Sequence, residues 1–208
     1  MEFIFAIFER NRTYMQTEIK KVELRNLAFE DYKQLKNSMV ESYPEMANSY
    51  WRSNDIKKLL SIFPEGQLVI LVDGVVVGSA LSLIVDEKLV DKRHNYRQIV
   101  GDYSFSTHNP DGEILYGIDV FIHPNYRGLR LGRRLYDARK ELCEQLNLKA
   151  IVFAGRIPNY NQYSKKLSPR NYIEKVKDKE LHDPVLSFQL SNDFHVLRII
   201  KNYLEGDE

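Results

Sequence analysis

The sequence predicts an α/β domain, with strands and helices interleaved along one chain, and two stretches carry that prediction. The first is a pair of β-rich runs, 67–72 and 75–84, joined at Asp73-Gly74. A two-residue Asp-Gly connection supplies the positive φ that a tight hairpin needs. The second is 114–155, where an apolar run (Leu115 to Ile122) leads through a turn containing Pro124 into Arg127-Gly128-Leu129-Arg130-Leu131-Gly132. A long helix then runs to about Asn147, and another apolar run follows from Ala150 to Ala154. Leu131, Leu135, Ala138, Leu142 and Leu146 recur at three- and four-residue steps, so this helix has one buried face.

The other elements follow in order. Lys20 to Asn26 alternates and reads as a first strand. Phe29 to Ser42 reads as a helix interrupted by Pro44, and Ser49 to Phe63 as a second, ended by Pro64 and Gly66. Residues 86–112 are polar and aromatic, an excursion with one short helix near Asn95 to Val100. After Gly155 comes an insertion rich in Tyr, Lys, Asn and Pro. Ser168-Pro169 opens a helix over 170–179, and Asp183-Pro184 opens another over 185–190. Residues 194–204 read as one or two final strands. No repeat or linker divides the chain, so 19–208 is expected to be a single domain preceded by an extension over 1–18.

Composition narrows the function classes. The 208 residues suffice for one substantial domain. Thirty Lys+Arg against 29 Asp+Glu leave a net charge of +1, so no global field draws the chain to nucleic acid or to anionic lipid. A single cysteine, Cys143, excludes an intrachain disulfide and suits a cytoplasmic setting. The first residues carry a short apolar run (Phe3 to Phe8) with Glu2 before it and no basic residue, unlike a secretory signal. No apolar stretch approaches the roughly 20 residues that cross a bilayer. His94, His108, His123, His182 and His195 show no metal-ligand spacing, so no metal is expected.

The segment 127–134 is the most informative chemically. Arg127, Arg130, Arg133 and Arg134 crowd the start of the helix, where positive charge opposes the helix dipole. Free backbone N–H groups, two glycines and this charge together describe a seat for an anion such as a pyrophosphate. Neither the dinucleotide pattern GxGxxG nor the P-loop pattern GxxxxGK[ST] is present.

Ile122-His123-Pro124-Asn125-Tyr126-Arg127-Gly128, with Gly132 beyond it, resembles the cofactor turn of the GNAT superfamily of acyl-CoA N-acyltransferases. Arg130 replaces the middle glycine of the usual motif. The resemblance extends from about Val22 to Leu204. The segments 115–148, Gly155 to Tyr160 and Asp183 to Val196 further resemble the acyltransferase domain that precedes a carbon–nitrogen hydrolase (nitrilase-like) domain in some bacterial proteins. It implies a mixed, mostly antiparallel sheet of about six to seven strands, splayed between strands four and five and flanked by helices. It also implies acetyl-CoA or another acyl-CoA as co-substrate. Phe121, Ile122 and His123 would meet the pantetheine arm, and Arg127, Gly128, Leu129, Arg130, Leu131, Gly132 and Arg133 the pyrophosphate.

The implied reaction is direct attack of a primary amine, of a small molecule or a peptide, on the thioester. Asp119 is the expected base, with Glu113 and Glu41 behind it. Gln189 stands where the family often has a proton-donating tyrosine, so Tyr160 and Tyr163 are the candidate acids. Cys143 reads as core. A homodimer and a nitrilase-like partner are compatible with the exposed aromatics and the resemblance. The rival reading is a catalytically weak acyl-CoA-binding module that regulates or docks such a hydrolase.

Overall fold

The computed structural model describes residues 19, 21–44 and 50–204; the extension expected over 1–18 lies outside them. Five strands form one sheet in the order β1-β2-β3-β4-β5: β1 (Val22–Asn26), β2 (Gln67–Val72), β3 (Val75–Val85), β4 (Ile114–Ile122) and β5 (Ala150–Phe153). The first four are antiparallel, and β5 joins β4 in parallel. The hairpin between β2 and β3 turns on Asp73 and Gly74, both in the left-handed region (φ 50° and 80°).

Two helical layers cover the sheet. On one face α1 (Tyr32–Ser42) and α2 (Ser53–Ile62) bury Leu35, Met39, Ile56 and Leu59 against Val69, Leu71, Leu81 and Leu83. The excursion contributes two short helices to this side where the sequence predicts one, α3 (Glu87–Asp91) and α4 (Tyr96–Ile99), the second capped by Asn95. On the other face α5 (Leu131–Gln145) sets Leu131 and Leu135 on Ile70, Val72, Val77 and Ala80. Alternation along β2 divides its side chains between the two layers.

Beyond β5, α6 (Pro169–Lys177) and α7 (Leu186–Leu190) form a satellite cluster around Tyr172, Ile173, Val176 and Leu186. Ser168 caps α6 by accepting from the Asn171 N–H at 3.2 Å. Fully buried Asp183 accepts from the N–H groups of Val185 and Leu186 and from the Tyr172 hydroxyl. The final strands expected over 194–204 do not form, so the sheet of the described residues has five strands rather than six or seven. Left-handed Asp193 and Asn202 turn this segment. Ring packing of Phe194 on Phe153 (4.7 Å) and a Tyr203–Tyr116 hydroxyl bond (2.8 Å) hold it across the molecule.

Candidate functional site

The site is organised by the way β4 ends its pairing. β4 and β5 share four rungs, from Ile114↔Ala150 to Gly117↔Phe153. Past Gly117, β4 continues to Ile122 with β3 on one side and, among the described residues, no strand on the other. This is the splay between strands four and five that the sequence implied. It leaves backbone hydrogen-bonding groups facing an open cleft.

At the same point β4 carries a bulge. Leu81 pairs with Asp119 and Ser82 with Gly117, so Ile118 is the extra residue. A one-residue insertion reverses the facing of everything beyond it. Gly117 faces α5, Ile118 and Asp119 both turn to the α1–α2 side, and Val120 and Ile122 return to the α5 side. Without the bulge Asp119 would project toward α5.

Asp119 is held from both sides. The Tyr43 hydroxyl donates to Oδ1 at 3.0 Å and the Trp51 indole N–H to Oδ2 at 3.0 Å. Burial pushes its carboxyl above the usual aspartate range, while these two donors oppose the shift. Tyr43 and Tyr96 are raised well above the usual phenol range, chiefly by burial and next by the Asp119 charge, so both stay protonated. Trp51 packs among Tyr96, Tyr103 and Phe105 with centroids 5.7 to 6.4 Å apart, and the Tyr96 hydroxyl donates to the Ile118 carbonyl at 3.0 Å. The helices and the excursion thus wall a carboxylate with aromatic rings.

The basic turn follows directly. Phe121 is buried edge-on to Tyr43 at 6.2 Å. His123 accepts from the Asn125 N–H through Nδ1 at 3.2 Å, which leaves Nε2 to donate to Glu41 at 3.0 Å. Arg127, Gly128, Leu129 and Arg130 are exposed, and Arg127 Nε donates to the Ile122 carbonyl at 3.1 Å. Gly128 (φ 84°) and Arg130 (φ 58°) adopt left-handed backbone, and Arg130 is the residue preceding α5. No side chain caps α5 and its first turn holds no acid, so its leading N–H groups are open to an anion. A Cβ on Gly132 would lie 3.0 Å from the Phe188 ring. Arg133 pairs loosely with Asp137 at 4.0 Å.

Other candidates lie elsewhere. The Tyr160 hydroxyl donates to the Leu167 carbonyl at 2.9 Å, and Tyr163 packs on Tyr172, both within the satellite cluster. Neither is hydrogen-bonded to Asp119, whose side-chain partners are Tyr43 and Trp51. Glu113 is bonded to Lys149 and the Glu87 N–H at the far end of β4. Gln189 packs over Gly155 and near the Tyr136 hydroxyl. Cys143 is buried beside Leu142 and Leu115. Among the described residues no group of three or more His, Cys, Asp or Glu is placed to hold a metal, and no helix is long and apolar enough to cross a membrane.

Tyr43 and Trp51 stand out in the sequence only as aromatics near the acceptor side. Arg139 went unnoticed, although it interrupts the apolar stripe of α5 four residues after Leu135. It is 1% exposed and donates through Nε to Ser82 Oγ (3.1 Å) and through Nη2 to the carbonyls of Leu81 and Asp119, which clamps the two strands at the bulge.

Comparison with known proteins agrees with this geometry. Residues 25–169 match the acetyltransferase (GNAT) family. An uncharacterized N-acetyltransferase of Bacillus subtilis, YkwB, is 31% identical over 92% of this chain and 85% of its own length. A probable hydrolase of the same organism, YhcX, is 41% identical over 90% of this chain, which spans only 36% of that protein. Among solved structures, the loading GNATL domain of CurA from Lyngbya majuscula superposes with a TM-score of 0.71 at 22% identity, covering 83% of both chains. The GphF GNAT-like decarboxylase, solved in complex with isobutyryl-CoA, gives 0.65 at 19% identity over 81% of this chain and 84% of its own. The splayed sheet, the basic turn and these relatives place the chain in the GNAT acetyltransferase family.

Proposed function

We propose that the chain is an acyl-CoA-dependent N-acyltransferase, with acetyl-CoA as the simplest donor. The supporting observation is the position of Asp119, a carboxylate turned by the bulge to the α1–α2 side just where β4 loses its β5 neighbour. The turn 127–133 would receive the pyrophosphate, and the open edge of Phe121, Ile122 and His123 the pantetheine arm.

In the ternary complex Asp119 takes a proton from the ammonium of the acceptor, directly or through water. The free amine attacks the thioester carbon, a C–N bond forms, and the C–S bond breaks. The thiolate leaves unassisted, since a thiol pKa lies close enough to neutrality for the anion to depart, and the proton that the attacking nitrogen sheds as the amide forms goes to the thiolate or to water. The aromatic wall around Trp51 suits an apolar or flat acceptor.

A second reading is a CoA-binding module serving a hydrolase-like domain, favoured by the 36% span of YhcX. Calorimetry with CoA followed by a thiol-release assay on an amine and peptide panel separates the two. Binding with turnover supports the enzyme. Binding without turnover supports the module. No binding at millimolar CoA defeats both.

A further inference from the structure

His94 is buried on the α1–α2 side of the sheet, 6% exposed, and the reaction described above does not use it. Both of its ring nitrogens are engaged. Nδ1 lies 3.0 Å from the Lys92 carbonyl, which can only accept, so Nδ1 carries a proton. In the neutral ring Nε2 is then an acceptor, and it takes the Tyr116 hydroxyl at 3.0 Å. With its own proton committed, the Tyr116 oxygen accepts from the Tyr203 hydroxyl at 2.8 Å. The three groups form one hydrogen-bonded chain with one direction, from Tyr203 through Tyr116 to His94 Nε2.

One end of this chain faces the carboxylate. Tyr116 stands on β4 on the same face as Asp119, with Ile118 also on that face between them. Tyr96 bridges the gap: its ring is 5.9 Å from that of Tyr203, and its hydroxyl donates to the Ile118 carbonyl at 3.0 Å. Its phenol is raised first by burial, then by Asp119 and next by Tyr203, so the three polar ends converge. The other end nears the surface, since Lys92 and Arg93 are exposed. Arg198 is the charged group beside the chain; its charge acts on Tyr116, and it donates to the Val90 and Asp91 carbonyls. Burial pushes the Tyr116 phenol up to about 12 and Tyr203 higher still. Neither ionises at neutral pH, so a proton crosses them only by a concerted shift of O–H bonds.

Resting on the acyltransferase reading above, we infer that Tyr203, Tyr116 and His94 are positioning residues that form a proton relay, through which the proton that Asp119 takes from the acceptor ends on His94 Nε2. Water links Asp119 to the Tyr203 oxygen. As that oxygen gains a proton its own passes to Tyr116, and the Tyr116 proton passes to Nε2. Only O–H and N–H bonds change, Asp119 is again a carboxylate, and His94 becomes an imidazolium. Loss of that proton to solvent beside Lys92 and Arg93 readies the site for the next turnover.

Thiol release from acetyl-CoA by the full chain, with a panel of primary amines led by tyramine, tests this. Tyr203→Phe removes a single hydroxyl and should lower kcat about tenfold, the share of one lost hydrogen-bonded link, with KM for acetyl-CoA unchanged. His94→Ala should do the same. Added imidazole should restore its rate, whereas pyrazole, equal in shape but too weakly basic to hold the proton, should not. A side chain needed only for packing would respond to both rings alike. In mixtures of light and heavy water the wild-type rate should fall along a curve, because several protons move together. Rescue by pyrazole, or a kcat that Tyr203→Phe leaves unchanged, overturns the inference and leaves the acyltransferase reading standing. If the variants do not melt cooperatively, the wild-type curve decides, and a straight line overturns the inference. No thiol release by the wild type with any amine removes both.

Discussion

On the α1–α2 face of β4 the carboxylate of Asp119 has one donor for each oxygen, Tyr43 and Trp51, each at 3.0 Å. On the α5 face the guanidinium of Arg139 donates to neutral acceptors, Ser82 Oγ and the Leu81 and Asp119 carbonyls, with the Asp119 charge acting on it from beyond hydrogen-bond reach. Both groups are withdrawn from water, and both respond in the expected direction. Burial raises the Asp119 carboxyl and lowers Arg139 to about 10, each toward its neutral form. The difference lies in what each group holds. Asp119 is positioned by a closed set of protein donors and can exchange a proton without losing its place. Arg139 holds the carbonyls of Leu81 and Asp119 and the hydroxyl of Ser82, so its work is to fix the two strands at the bulge.

Four substitutions sharpen this contrast, and the largest effect belongs to the carboxylate. Asp119→Asn should lower turnover by roughly 100-fold or more, the usual value of a positioned base, while calorimetry shows CoA affinity unchanged. Its fold should survive. A carboxyl whose pKa is raised on folding favours the native state below the ordinary range and loses that contribution as pH rises through its own pKa. Removing the charge therefore costs nothing by this route at neutral pH.

Gly117→Ala comes next, on the opposite face. The added methyl meets Nη1 at 3.0 Å and Phe153 at 3.3 Å, so chemical denaturation should show a loss of about 1–3 kcal/mol from overpacking. Tyr43→Phe removes one donor from Asp119 and should slow turnover by about tenfold or more, in line with roughly 1.5–3 kcal/mol for a hydrogen bond to a charged group. Because that donor lowers the Asp119 pKa, its loss raises it further, and the acidic limb of the rate profile should move to higher pH. A limb that moves down or stays put would show that Asp119 is not the titrating base. Ser82→Ala leaves Arg139 Nε without its acceptor and should cost about 1 kcal/mol in a thermal or denaturant melt, the smallest of the four.

Much of the framework was legible because it rests on local chemistry. Asp73-Gly74 announces its hairpin, Ser168-Pro169 and Asp183-Pro184 their helix starts, and the leucine spacing of α5 its buried face. The splay at Gly117 followed from the family resemblance. The bulge at Ile118 was not legible, since Leu115 to Ile122 reads as one continuous apolar strand and the extra residue is defined only by pairing with β3. For the same reason Tyr43 and Trp51, 76 and 68 residues from Asp119, could be listed as aromatics but not assigned to it. Residues 194–204 have strand-like composition but no ladder, because Phe194 and Tyr203 find ring and hydroxyl partners that fix the segment elsewhere. Arg139 carried a local signal, a charge in an apolar stripe, that was outweighed by four more conspicuous arginines at the start of the same helix.

Cys143 gives the molecule an internal reporter. It is the single thiol in the chain, 8% exposed where α5 meets β5, with burial raising its pKa and its sulfur 3.6 Å from the Leu148 carbonyl. A thiol reagent can reach it only when the end of α5 lifts from the sheet, because the reactive species is an accessible thiolate. Its labelling rate is therefore a clock for the opening of the seam between α5 and β5.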